Sequence, residues 1–133
     1  MKPVFLDTVG IVALWNKRDQ WHAAANDAFR VLLAERAILY STTYVIAECA
    51  NALSRVPVRG NLAKLVAGLN KTGGLHVPTD VDWNEAWARY VSGPSGSPGM
   101  VDRLSFQVMR RFGLTRVFTN DQHFFDEGFS PLF

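Results

Sequence analysis

The sequence predicts an α/β fold, a small parallel sheet flanked by helices, and two patterns predict it. Short apolar runs alternate with longer stretches of helical periodicity, as expected where strands and crossover helices take turns. Four acidic residues, Asp7, Glu48, Asp102 and Asp121, each stand where a predicted strand ends or beside the start of a predicted helix. Scattered in sequence, they converge if the sheet is parallel, because open α/β folds bind their ligands at the carboxyl edge of the strands.

Val4 to Leu6 is the first strand and runs straight into Asp7-Thr8, where a helix begins that carries Ile11, Val12, Leu14 and Trp15. Trp21 to Ala34 reads as a second helix with Ala25, Ala28, Phe29, Leu32 and Leu33 on one face. Ile38 to Tyr40 is short enough for a strand. Ser41, Thr42 and Thr43 then supply hydroxyls to cap a helix through Leu53, which Pro57 helps to stop. Asn61 to Leu69 carries Leu62, Leu65, Val66 and Leu69 at helical spacing, and Gly73-Gly74 breaks it before a strand at Leu75 to Val77. Asp80 to Val91 resumes a helix with Trp83 and Trp87 one turn apart, a stripe that suits packing or subunit contact better than base stacking. Ser92 to Gly99 is rich in Gly, Pro and Ser, must be a loop, and lies directly before Asp102. Val101, Leu104, Ser105, Val108 and Phe112 mark the buried face of a helix that Gly113 ends. Val117 to Thr119 is the last strand, and a short helical or irregular tail runs through Phe129.

The bulk composition suits a single domain over residues 1–133, with 48% hydrophobic and 20% charged residues and no internal repeat or linker. Fourteen Lys and Arg against twelve Asp and Glu give a formal charge of +2, too small to argue for a nucleic-acid partner by itself. Setting the four acids aside in one cleft leaves eight acidic residues on the rest of the chain, a surface compatible with a polyanion. The lone Cys49 lies in an apolar helical run and reads as a small buried side chain, which fits a cytoplasmic home. Lys2 and the apolar stretch after it superficially resemble a secretion signal, but Asp7 interrupts that stretch, and no segment reaches the roughly 18 apolar residues of a membrane span.

Taken singly, three of the acids have plain structural readings. Asp7 and Asp121 are placed to cap helices, and Asp102 sits in a first helical turn where the macrodipole favours a negative charge. Glu48 lies in mid-helix beside apolar neighbours and needs a partner. Taken together, four converging carboxylates stay ionised only with something positive between them, and magnesium or manganese is the simplest candidate. Zinc fits poorly, since His22, His76 and His123 show no paired ligand spacing and each suits a surface or supporting role. No Walker-type loop or nucleophile elbow competes.

Val4-Phe5-Leu6-Asp7-Thr8, Thr42 through Glu48, Val101 through Gly113, and Val117-Phe118-Thr119-Asn120-Asp121-Gln122-His123-Phe124 with Gly128-Phe129 together resemble PIN-domain proteins of the VapC type, the toxin half of bacterial toxin–antitoxin pairs. The resemblance spans nearly the whole chain, although Ser92 to Gly99 is richer in Gly and Pro than the family pattern. It implies a PIN-like three-layer fold and a metal-dependent endoribonuclease, often dimeric and held inactive by a cognate antitoxin. It also implies that Asp7, Glu48, Asp102 and Asp121 are the catalytic acidic quartet, with Asp7 and Asp121 holding most of the metal. Thr8 and Thr119 would orient carboxylates or metal waters, or serve only in capping and in the strand. Asn51 and Arg55, three and seven residues beyond Glu48, would share its helical face, with Arg55 meeting a phosphate or remaining solvated. Arg110 and Arg111 would serve RNA, antitoxin or solubility. Two rival classes stay open: a PIN-like module that binds nucleic acid or protein without cleaving, and a receiver-type regulator, which the absence of a suitably placed Lys disfavours.

Overall fold

A computed structural model describes residues 2–133. Five strands form one sheet: β1 (Pro3–Leu6), β2 (Ile38–Thr42), β3 (Leu75–His76), β4 (Arg116–Phe118) and β5 (Ser130–Pro131). Their order is β3-β2-β1-β4-β5, and every neighbouring pair is parallel. Seven helices connect them: α1 (Thr8–Trp15), α2 (His22–Ala34), α3 (Thr43–Ala52), α4 (Arg59–Thr72), α5 (Asp80–Ser92), α6 (Met100–Arg111) and α7 (Gln122–Asp126).

Strand order locates the site. From β1 the chain winds outward through β2 and β3, then returns to the other side of β1 as β4 and continues outward to β5. The winding direction therefore reverses between β1 and β4, and at such a reversal the connections leave in opposite directions and open a crevice at the carboxyl ends of the strands. Asp7 directly follows β1, and Thr119 to Asp121 directly follow β4, so these residues flank that crevice. Helix α6 leads into β4 and α3 follows β2, which brings the first turn of α6 and the body of α3 to the same edge.

Val4, Phe5 and Leu6 of β1 and Val117 and Phe118 of β4 are buried on both faces of the sheet, as parallel strands covered by helices require. Helix α1 lies close against β4 because Gly10 has no side chain there. A Cβ at Gly10 would sit 2.1 Å from the carbonyl oxygen of Phe118. Gly10→Ala is thus expected to cost about 2 kcal/mol or more by overpacking, read as a lower urea midpoint at unchanged slope.

The predicted element order holds, and the departures have physical causes. Leu33 is exposed while Leu32 is buried, because the face of α2 that meets the sheet runs through Ala25 and Leu32. Phe112 is likewise exposed: it is the residue that ends α6, and it packs sideways on His76 and Tyr40. Helix α6 instead buries Phe106, which meets Phe124 edge-on at 4.9 Å and Phe129 at 5.6 Å, because the C-terminal tail folds back over it. That tail includes β5, too short to show any periodicity in sequence. Glu127 fastens it, accepting from Arg103 at 2.9 Å and from Arg110 at 2.7 Å. Helix α4 begins at Arg59, two residues ahead of the periodic run, and α3 ends at Ala52. Among the described residues no helix is long and apolar enough to cross a membrane.

Candidate active site

Asp7 occupies the first residue beyond β1 and is 1% exposed. It stands at the cap position of α1 yet makes no side-chain capping bond there. The Thr119 hydroxyl donates instead to its Oδ2 at 2.8 Å, and its Oδ1 is buried with no hydrogen-bond partner among the described residues. Burial, with the charge of Asp102 adding to it, pushes the Asp7 carboxyl up to about 8 against the downward pull of the Thr119 bond. Asp102, in the first turn of α6, is pushed up to about 6, first by burial and then by the charges of Asp121 and Glu48. Carboxyls raised in this way hold a site that disfavours its own negative charge.

Asp121 does cap a helix, since its Oδ1 accepts from the His123 amide at 2.9 Å to start α7. Its own amide donates to the Thr119 hydroxyl at 3.2 Å, so Thr119 ties together the acids that follow β1 and β4. Glu48 is half-buried on α3, and the partner its mid-helix charge needed is the Thr8 hydroxyl, which donates to Oε1 at 2.6 Å. Ligand atoms of Asp102, Asp121 and His123 lie within 4.8 Å of one another, and Asp7 and Glu48 fall outside that tight group. Both are nonetheless near enough to act through charge: Asp102 and Asp121 on Asp7, and Glu48 on Asp102.

No family model matches the sequence, and no curated protein matches it. The structure is similar to that of VapC20 from Mycobacterium tuberculosis, described as a sarcin-ricin loop cleaving toxin, with a TM-score of 0.73 and 26% identity over 95% of each chain. The chain has a VapC-type PIN domain.

In this PIN domain the basic residues singled out in the sequence have neighbours other than the four acids. Helix α3 ends at Ala52, so helical spacing no longer relates Arg55 to Glu48, and Arg55 is exposed in the following turn, beside a cleft it shares with Lys17 and Arg18. Asn51 is exposed near the end of α3. Arg110 is paired with Glu127, and Arg111 donates to Asp82 at 2.8 Å, so both are engaged in holding helices together. His123 is the residue sequence reasoning passed over. Its Nδ1 stands 3.5 Å from Asp121 and 4.0 Å from Asp102, and its Nε2 lies 3.0 Å from the Gly96 carbonyl. The signal for it was the Asp-x-His spacing at the start of the tail helix, which points cap and ring to one side.

The donor set of the PIN domain fits a divalent cation. Carboxylate oxygens suit magnesium and manganese, and Asp7 Oδ1 is a buried acceptor with no well-formed hydrogen bond among the described residues. An unpaired buried acceptor costs about 1–3 kcal/mol, a cost that a bound cation removes.

Proposed function

We propose that this PIN domain is a magnesium- or manganese-dependent endoribonuclease, the toxin of a type II toxin–antitoxin pair, acting in the cytoplasm as a homodimer and restrained by a cognate antitoxin. The observation that carries the reading is the unpaired, fully buried Oδ1 of Asp7 in a crevice with Asp102 and Asp121. One oxygen of this acid accepts from Thr119, and the other is left without a hydrogen bond. The likeness to a toxin that cleaves RNA supports the same chemistry.

In this reading Asp7, Asp102 and Asp121 would hold the ion, with Glu48 in direct contact or one water away. Held there, a divalent ion would supply a more acidic water and a counter-charge for the scissile phosphate. The chain's own residues set the geometry. Thr119 engages Oδ2 of Asp7 and so leaves Oδ1 free to bind. Thr8 fixes the carboxylate of Glu48 toward the crevice side of α3, and the helix capped by Asp121 keeps that carboxylate from rotating away. Arg55, with Lys17 and Arg18, offers positive charge for a more distant stretch of RNA backbone.

Partner contacts find support in two apolar surfaces. Tyr44, Trp83, Trp87 and Tyr90 form a continuous ladder with ring centres about 6 Å apart, and all four are exposed. Aromatic rows left in water suit a subunit interface. Trp87→Glu is expected to convert a dimer to monomers in light scattering while leaving the fold intact. An apolar groove of about 550 Å³ between α3 and α4, lined by Ile46, Ala50, Leu53, Leu62 and Val66, is shaped to take an apolar segment such as an antitoxin would supply.

Sequencing of new RNA ends tests the activity. Incubation of the purified protein with total RNA should create discrete ends in magnesium or manganese and none in chelator. Ends that appear equally in chelator, or no cleavage with either ion, would reject a metal-dependent ribonuclease.

A further inference from the structure

His123 faces the acids with the wrong chemistry for a metal-free site. A carbonyl oxygen only accepts, so Nε2 at 3.0 Å from Gly96 carries a proton and donates it. A neutral ring then turns the lone pair of Nδ1 toward Asp121 at 3.5 Å and Asp102 at 4.0 Å. Three acceptors aimed at one another repel. A second proton on Nδ1 would relieve this as an ion pair, but charge-assisted N–H···O bonds are about 2.7–2.9 Å long, shorter than either separation. Neighbouring ligands on an octahedral ion of this kind stand about 3 Å apart and opposite ones about 4.2 Å. The observed separations of 3.5 and 4.0 Å equal neither value, but they place the three atoms close enough together for one ion to draw them in. The unpaired Oδ1 of Asp7 belongs to a residue at the end of the neighbouring strand β1 that is close enough to feel the charges of Asp102 and Asp121.

We propose that His123 is a ligand of the divalent ion, presenting Nδ1 alongside Asp102 and Asp121 while the Gly96 carbonyl holds Nε2–H. The proposal rests on the metal-dependent reading of this crevice and adds to it a nitrogen donor from outside the four acids. A histidine that ligates through one nitrogen typically donates through the other to a carbonyl or carboxylate, which fixes tautomer and ring orientation. The loop between α5 and α6 performs that service here: Gly96 sits at φ 88°, a backbone conformation open to glycine, with its carbonyl directed at the ring. The loop thereby reaches the metal at one remove. Imidazole favours transition ions, whereas magnesium keeps to oxygen, so the site binds manganese better than an all-carboxylate site would.

Pulsed electron paramagnetic resonance of the protein loaded with Mn²⁺ reads this directly. The wild type should show nitrogen-14 coupling to the ion, and protein grown on nitrogen-15 histidine should show the nitrogen-15 pattern instead. His123→Asn should lose the coupling and weaken Mn²⁺ binding on the order of tenfold, with Mg²⁺ binding changed much less. His22, which bonds the Ala13 carbonyl, and His76, packed between Tyr40 and Phe112, serve as controls whose replacement leaves the signal in place. Mn²⁺ bound with no nitrogen coupling in the wild type would overturn the role of His123 and leave the carboxylate site standing. Failure of the wild type to bind Mn²⁺ at all would overturn the metal reading of the crevice itself.

Discussion

Asp7→Asn is expected to lower RNA cleavage about a thousandfold, equivalent to about 4 kcal/mol of transition-state stabilisation, while the protein stays folded. The amide has the shape of the carboxyl, and its oxygen still accepts from the Thr119 hydroxyl that now donates to Oδ2. What is lost is the negative charge and the buried, unpaired Oδ1 that the cation would meet. The fold has little reason to object, since a neutral group replaces a carboxyl that burial already holds near its neutral form. Cleavage rates alongside melting curves separate the two effects. A folded Asp7→Asn that cleaves at the wild-type rate would place water activation elsewhere.

The metal-free protein is expected to lose stability as pH rises, and magnesium to restore it. Asp7 titrates at about 8 in the folded state against 3.8 when unperturbed. Between those values the folded chain keeps a proton that the unfolded chain releases. Its contribution is therefore fully present below about pH 4, is drawn down through the window, and is gone above about 8. A shift of that size corresponds to a change on the order of 5 kcal/mol across the window. Asp102 adds a loss of the same sign between 3.8 and about 6. In chelator the melting temperature should fall from pH 5 to pH 8, and Asp7→Asn should flatten the profile, matching the wild type at the acid end and exceeding it at pH 8. Magnesium binds only the native arrangement and should raise the wild-type melting temperature most at pH 8. Asp121→Asn should shrink that magnesium gain without unfolding α7, because Asn caps a helix as well as Asp does. A wild-type profile in chelator that is flat from pH 5 to pH 8 contradicts the electrostatic account.

Most of the fold was legible because local patterns and tertiary demands agree. Leu6-Asp7-Thr8 and Phe118-Thr119-Asn120-Asp121 each show an apolar strand cut off by polar residues, and both strands prove to be central and fully covered. What failed to show in sequence depends on contacts between distant segments. Strand β5 has two residues and exists because the tail is held by Arg103 and Arg110 through Glu127. Phe112 looked like core by spacing, but it falls on the residue where α6 stops. Within the crevice Asp7, Asp102 and Asp121 could be named from their places at strand and helix ends, and Glu48 from a mid-helix charge beside apolar neighbours. His123 had only the Asp-x-His spacing to mark it, because the rest of its standing comes from the Gly96 carbonyl, twenty-seven residues away in the chain. Arg55 was placed by extending a helix past its end at Ala52.

The most direct measurement is anomalous diffraction from crystals soaked in manganese. One strong peak is expected in the crevice between β1 and β4, among the carboxylates of Asp7, Asp102 and Asp121. No peak at saturating manganese, or a peak only at His22 or His76, would contradict it.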